Sequence, residues 1–311
     1  MNNTKNFNPS PESSKVALLF GVNKISGNKK NNIYGSINNV IVMRKYLIEK
    51  REYMSENIRV LTYENDVKGS ELSDSVIEII NLIVPNNLNE VFIYYSGPYI
   101  SNLLNDKNDE NRENKLLSNN AIKMQLHKGN NPIKMQLHKG NNPIKILSVV
   151  DSPISSNNYN LPCAYSYEKR KIKILLDEEP GDYESLEVYS LNACKNNQKT
   201  KEIKKAYKSI NNGEYSITKN RYGGAFTSGL IKILNKDNYK NTQNFTDILS
   251  VIRKYLKTKY KFHTPVLSSS KKLFEAKPIK QKLPIKQVLP VKIYLKSSVG
   301  KLDKSEHWIN F

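Results

Sequence analysis

The stretch from residue 145 to residue 156 constrains this chain most. Ile146 to Val150 is apolar and largely β-branched, with only Ser148 interrupting the run. Such a run reads as a parallel strand buried on both faces. Asp151, Ser152 and Pro153 end it abruptly. In open α/β sheets, ligands and catalytic groups sit just past the carboxyl ends of strands. Residues 151–156 are therefore where a site would stand, yet Pro153 carries no reactive side chain.

Similar runs at 15–22, 57–63, 90–96, 186–191 and 265–269 bring the expected strands to six. Helical spacing separates them. Ile37, Val40, Ile41, Tyr46 and Leu47 mark a helix over 37–51, and Phe245, Ile248, Leu249, Ile252 and Leu256 mark one over 245–260. Ser70 or Ser73 could cap a further helix reaching residue 84, and the pair Gly223-Gly224 leads into one ending at 234. Residues 157–184 read as irregular and charged, with a short strand at 172–176. Strands alternating with helices predict an α/β fold, with a mostly parallel six-stranded sheet and helices on both faces.

Three segments lie outside that pattern. Residues 1–14 are rich in Asn and Ser and read as a disordered N-terminus. Residues 122–132 are copied identically at 133–143, and two copies are too few for a solenoid, so the repeat reads as a slippage duplication. From residue 275 the chain is basic, with proline recurring at Pro278, Pro284 and Pro290, which opposes helix. The expected organisation is a disordered tail to 14, one domain over 15–274 and a basic extension over 275–311.

The net charge is +20, from 49 Lys and Arg against 29 Asp and Glu. The excess is mostly scattered Lys without interleaved aromatics, so nucleic acid is not the expected partner. No apolar run approaches the ~20 residues of a membrane span, and the N-terminus lacks an apolar signal core, so a cytoplasmic protein is expected. The two cysteines, Cys163 and Cys194, make neither a disulfide framework nor a zinc site. Of the four histidines, His127 and His138 belong to the repeat, leaving His263 and His307. No Gly-rich phosphate loop follows any strand, which argues against a nucleotide-binding α/β protein.

In order along the chain, the strands carry a family pattern. Val16-Ala-Leu-Leu-Phe-Gly-Val-Asn23 resembles the first strand of the caspase/metacaspase domain, and Gly35-Ser-Ile-Asn-Asn39 the start of its first helix. Val91-Phe-Ile-Tyr-Tyr-Ser-Gly97 resembles the strand entering the family's Tyr-Ser-Gly-His-Gly motif. Leu147-Ser-Val-Val-Asp-Ser152 resembles the strand entering Asp-Ser-Cys-His-Ser-Gly, and Leu161-Pro162 follows as it commonly does. Ser190-Leu-Asn-Ala-Cys194, Gly224-Ala-Phe-Thr227 and Thr264-Pro-Val-Leu-Ser268 are similar to later segments. The resemblance covers about residues 15 to 270 and implies a caspase-like fold.

It also implies a cysteine peptidase whose Cys thiolate attacks a peptide carbonyl while a His on the neighbouring strand serves as acid and base. Here the His position is Pro98 and the Cys position is Pro153, and Ile154 replaces the His that follows. Proline also removes a backbone donor from any oxyanion site. The implied function is a metacaspase-like pseudo-peptidase, a non-catalytic binding or regulatory module whose partner is another protein or an active homologue. The alternative is a residual cysteine endopeptidase cleaving after Arg or Lys through a displaced nucleophile, Cys163. Cys194 matches a family cysteine that is not the nucleophile and is expected to pack at a strand end. His263 is expected in a capping or surface role.

Asp151 matches an acidic residue of the family's Arg/Lys pocket and is either a remnant of that pocket or a cap for local N–H groups. Two other acidic positions hold Asn39 and Asn196. The resemblance raises calcium, but Asp106, Asp109 and Glu110 read as a solvated loop, so no metal or other cofactor is expected.

Overall fold

The computed structural model describes residues 14–24, 33–64, 89–98, 144–153, 161–178, 186–195, 198–207, 211–212, 215–216, 221–236, 244–260 and 263–273. In chain order the elements are β1 (Lys15–Val22), α1 (Ser36–Arg51), β2 (Ile58–Tyr63), β3 (Glu90–Ser96), β4 (Ile144–Asp151), β5 (Cys163–Glu168), β6 (Lys171–Asp177) and β7 (Leu186–Asn192). There follow β8 (Glu202–Ile203), β9 (Asn211–Asn212), β10 (Tyr215–Ser216), β11 (Gly223–Gly224), α2 (Ala225–Leu234), α3 (Phe245–Tyr260) and β12 (Val266–Ser269). The helix expected over 70–84, the repeat and the segment from 275 lie outside the described residues.

The fold is α/β around one large sheet in the order β2-β1-β3-β4-β7-β12-β5-β6. Strands β2, β1, β3, β4 and β7 pair in parallel. Strand β12 is antiparallel to both β7 and β5, and β6 is antiparallel to β5. The sheet thus has eight strands where six were expected. The additional two are β5 and β6, which form a hairpin; β6 (Lys171–Asp177) falls on the short strand expected at 172–176, and β5 was not anticipated. The hairpin's two-residue turn, Lys169-Arg170, holds φ of 48° and 65°. Positive φ at both central positions is the hairpin geometry that Asn-Gly normally announces. Built from Lys and Arg, the turn carried no such signal.

Both faces of β1, β3 and β4 are buried, which is why they read as continuous apolar runs. Ala17 and Leu19 of β1, Phe92 and Tyr94 of β3, and Leu147 and Val149 of β4 join the core that includes α1, α2 and α3. The alternate residues Leu18, Phe20, Ile93, Tyr95 and Val150 are buried on the opposite face. The described helices therefore share one face. There Gly21 admits α1: a Cβ would lie 2.9 Å from Val40 Cγ2 and 3.1 Å from the Ser36 carbonyl oxygen. Helix α1 begins at the carboxyl end of β1 and ends beside β3's start, where Arg51 Nη2 lies 3.5 Å from Glu90 Oε1. Glu52 closes it in the left-handed conformation, φ 61°, its N–H donating to the Leu47 carbonyl.

Candidate functional site

The register of β3 and β4 sets Ser96 opposite Asp151. The Gly97 N–H donates to the Asp151 carbonyl at 3.3 Å. Pro98 and Pro153 follow two residues beyond that same pair, so they stand at one level on neighbouring strand ends. Tyr95 secures the first: its hydroxyl donates to the Pro98 carbonyl at 2.7 Å. A Cβ on Gly97 would lie 2.5 Å from that hydroxyl oxygen, so the close fit requires glycine. Ser152 is buried and its hydroxyl donates to the Pro153 carbonyl at 3.4 Å.

Behind the prolines lies a buried polar network. Asp151 Oδ2 accepts the Thr227 N–H at 3.2 Å and the Thr227 hydroxyl at 2.6 Å. With its hydroxyl proton committed there, Thr227 Oγ1 accepts from the Tyr94 hydroxyl at 2.6 Å. Thr227 lies in the first turn of α2, whose N-cap is Gly224, a residue without a side chain to cap anything. A Cβ on Gly224 would fall 2.0 Å from Asp151 Oδ2. Asp151 therefore puts its carboxylate where an N-cap side chain would reach, and caps a helix 76 residues downstream. Burial pushes the Asp151 carboxyl up to about 6, against the two Thr227 hydrogen bonds and with a smaller push from Glu202.

Asn39 ties α1 into the same network. Its Nδ2 donates to Ser96 Oγ at 2.8 Å, and its Oδ1 accepts the Gly224 N–H at 2.9 Å and the Tyr207 hydroxyl at 2.5 Å. The antiparallel pair β8–β11 brings Glu202 alongside. Glu202 accepts the Tyr34 N–H at 2.9 Å and the Gly35 N–H at 2.5 Å, at the start of α1. Burial raises its pKa, opposed by those two donors. Sequence reading missed Tyr94, Thr227, Tyr207 and Glu202. The available signal was a glycine pair opening α2 with no capping residue, which implies a cap supplied from elsewhere.

The two cysteines take opposite places. Cys194 is fully buried beside this site, with Sγ 3.5 Å from the Ser152 carbonyl oxygen and 3.4 Å from that of Gln198. Cys163 lies on β5, below the strand ends and three strands to the side. Pairing sets it level with Ser269, Tyr189 and Leu147. Leu147 is four residues before Asp151, and β5 is three strands from β4. At ~3.3 Å per residue and ~4.8 Å per strand, Cys163 is roughly 13 Å below the strand ends and roughly 14 Å to the side. It is also fully buried.

His263 is not on the surface, one of the two roles expected for it, being only 1% exposed. Its φ is 58°, and among the described residues neither ring nitrogen has a hydrogen-bond partner. Burial, with the charges of Lys201 and Arg253, lowers its pKa to about 4. The Arg253 guanidinium donates to its carbonyl. Next to it, Gln198 Oε1 accepts the Thr264 N–H at 2.8 Å. Among the described residues no three His, Cys, Asp or Glu side chains converge as metal ligands. Asp106, Asp109, Glu110, Asn196, His127, His138 and His307 lie outside the described residues. No described helix is long and apolar enough to cross a membrane.

No protein-family model matches this chain, and no curated protein matches it in sequence. Solved structures do. Protein GSU0716 from Geobacter sulfurreducens is 14% identical, with a TM-score of 0.41 over 82% of this chain and 92% of that one. The structure of pro-sf-caspase-1 is 9% identical, with a TM-score of 0.37 over 84% of this chain and 88% of that one. Both superpositions are loose.

Proposed function

We propose that this chain is a metacaspase-like pseudo-peptidase, a caspase-fold domain that binds or regulates another protein without cleaving it. One observation carries the reading. The two strand ends that would hold a His and a Cys lie side by side, in register, and present Pro98 and Pro153. Among the described residues no cysteine–histidine pair stands in for them. Cys194 is buried, Cys163 is buried three strands away, and the His263 ring makes no hydrogen bond to either thiol. Asp151, the remnant of an Arg/Lys pocket in this reading, has its Oδ2 engaged by Thr227. The partner is another protein chain, an active homologue being the first candidate. Against the rival, a peptidase using Cys163, stands the full burial of that thiol.

The test is hydrolysis of fluorogenic peptides ending in Arg or Lys by the purified chain, with and without calcium. A variant carrying Cys163→Ser and Cys194→Ser is the control. Turnover no higher than the control is expected. Turnover that the variant loses would place a working nucleophile in the molecule and overturn the reading.

A further inference from the structure

The large sheet ends on β6, which among the described residues pairs with β5 alone. An edge strand presents N–H and C=O groups that no neighbour satisfies, and a further strand can pair with them. Strand β6 reads Lys171-Ile-Lys-Ile-Leu-Leu-Asp177, and Lys171, Lys173, Ile174 and Leu175 are exposed. Ile174 and Leu175, 40% and 38% exposed, are two of the four large hydrophobic side chains exposed among the described residues. The opposite edge, β2, exposes none. The turn that enters β6 adds two exposed cations, Lys169 and Arg170.

Side chains alternate between the two faces of a strand. Lys171 and Lys173 therefore share one face of β6, and Ile172 and Ile174 the other. Ile172 packs against the core, which ties the apolar face to the body of the domain. The carboxylates nearby are engaged elsewhere. Glu168 feels the charge of Lys173, but its ion pair is with Lys195. Asp177 Oδ1 lies 3.4 Å from Lys272 Nζ. Among the described residues neither Lys171 nor Lys173 forms an ion pair.

A second copy of this chain is a poor occupant of that edge. Edge-to-edge pairing would set Lys171 and Lys173 among the same residues of the other copy, and like charges across a strand pair destabilise it. The net charge of +20 on each chain adds to the repulsion. A strand with carboxylates on one face and β-branched side chains on the other instead meets opposite charges on the lysine face and aliphatic partners on the isoleucine face. We propose that β6 adds a strand from another protein, an extended segment in which acidic and β-branched apolar residues alternate. The edge uses no residue of the proline-bearing strand ends and does not depend on how those are read.

The test is fluorescence anisotropy of a labelled octapeptide of alternating Glu and Val, titrated with the full chain. A block peptide of the same composition, an alternating peptide of Lys and Val, and a short oligo-dT are the comparisons. Saturable binding of one alternating acidic peptide per chain is expected, with each comparison at least about 10-fold weaker. The double variant Lys171→Glu, Lys173→Glu should weaken the acidic peptide about 10-fold and bind the alternating Lys and Val peptide instead, an exchange that misfolding would not produce. Hydrogen exchange on the unaltered chain should show new protection within 169–177 when the acidic peptide is bound. No saturable binding, equal binding of the block peptide or the oligo-dT, or protection confined to other segments would each overturn the proposal. So would self-association of the chain that the acidic peptide disperses, since the edge would then belong to a second copy.

Discussion

The carboxyl end of the parallel strands and the β6 edge of the same sheet have been put to opposite uses. At the carboxyl end, where α/β proteins place their ligands, the groups that could meet one bind each other instead. Asp151 caps α2 through Thr227, Asn39 joins Ser96 to Gly224 and Tyr207, and Glu202 holds the start of α1. At the β6 edge, two lysines and two apolar side chains stay exposed on a strand paired along one side. A strand end rich in polar residues is therefore no guide to an open site. Those residues serve the protein's own helix ends when no water or ligand can reach them.

Adding atoms at each place separates the two most directly. Gly224→Ala would drive a methyl into Asp151 Oδ2. We expect it to destabilise the chain by about 3 kcal/mol in urea unfolding, combining overpacking with disturbance of a buried charge. Ile174→Trp adds far more volume at the edge and should change stability by less than about 1 kcal/mol, because the side chain meets solvent there. If Gly224→Ala proves as mild, the carboxyl end is looser than described.

The carboxyl end also predicts an unusual pH profile. Asp151 binds its proton more tightly folded, near 6, than unfolded, near 3.8. Its ionised form is the disfavoured one, so stability from this group falls by about 3 kcal/mol as pH rises from 4 to 6. His263 runs the other way. Its folded pKa near 4 lies below its ordinary 6.5, so stability rises by about 3 kcal/mol over a similar window and is lost as pH falls. In the wild-type chain the two largely cancel. Asp151→Asn should unmask acid lability from His263, and His263→Asn, tolerated at positive φ, should unmask gain of stability in acid. Two variants with the same profile as wild type would sink this account.

Asn39→Asp sets a second carboxylate within the network. We expect a loss of about 1–2 kcal/mol at pH 7 that shrinks in acid, and a further rise in the Asp151 pKa, read by NMR titration. The smallest effect is a gain. Lys169→Gly relieves a positive φ in an exposed turn and should stabilise the hairpin by about 1 kcal/mol in the same urea experiment.

How much of this could be read in advance varied by element. Helix α3 falls where its apolar spacing put it, and α1 within one residue. Strands β1, β3, β4 and β7 match their apolar runs because burial on both faces leaves a continuous hydrophobic signature. Strand β5 was missed because Cys163-Ala-Tyr-Ser-Tyr-Glu168 mixes polar and aromatic residues and leads into charged β6. The loss of reactive groups at Pro98 and Pro153 needed only the residue types. The buried state of His263 did not show, since Arg253, Lys201 and Gln198 approach it from other segments.

What the amino-acid order determined by itself was the set of core strands, the helical periods and the absence of a nucleophile and base at two strand ends. Periodicity is a local property, set by which side chains share a face within a turn or a pleat. Only the tertiary structure decided that Asp151 would cap α2, that Cys194 and not Cys163 would lie beside Pro153, and that the sheet would end on β6. Those outcomes depend on strand order and on how closely helices approach the sheet, and both follow from contacts between residues far apart in the chain.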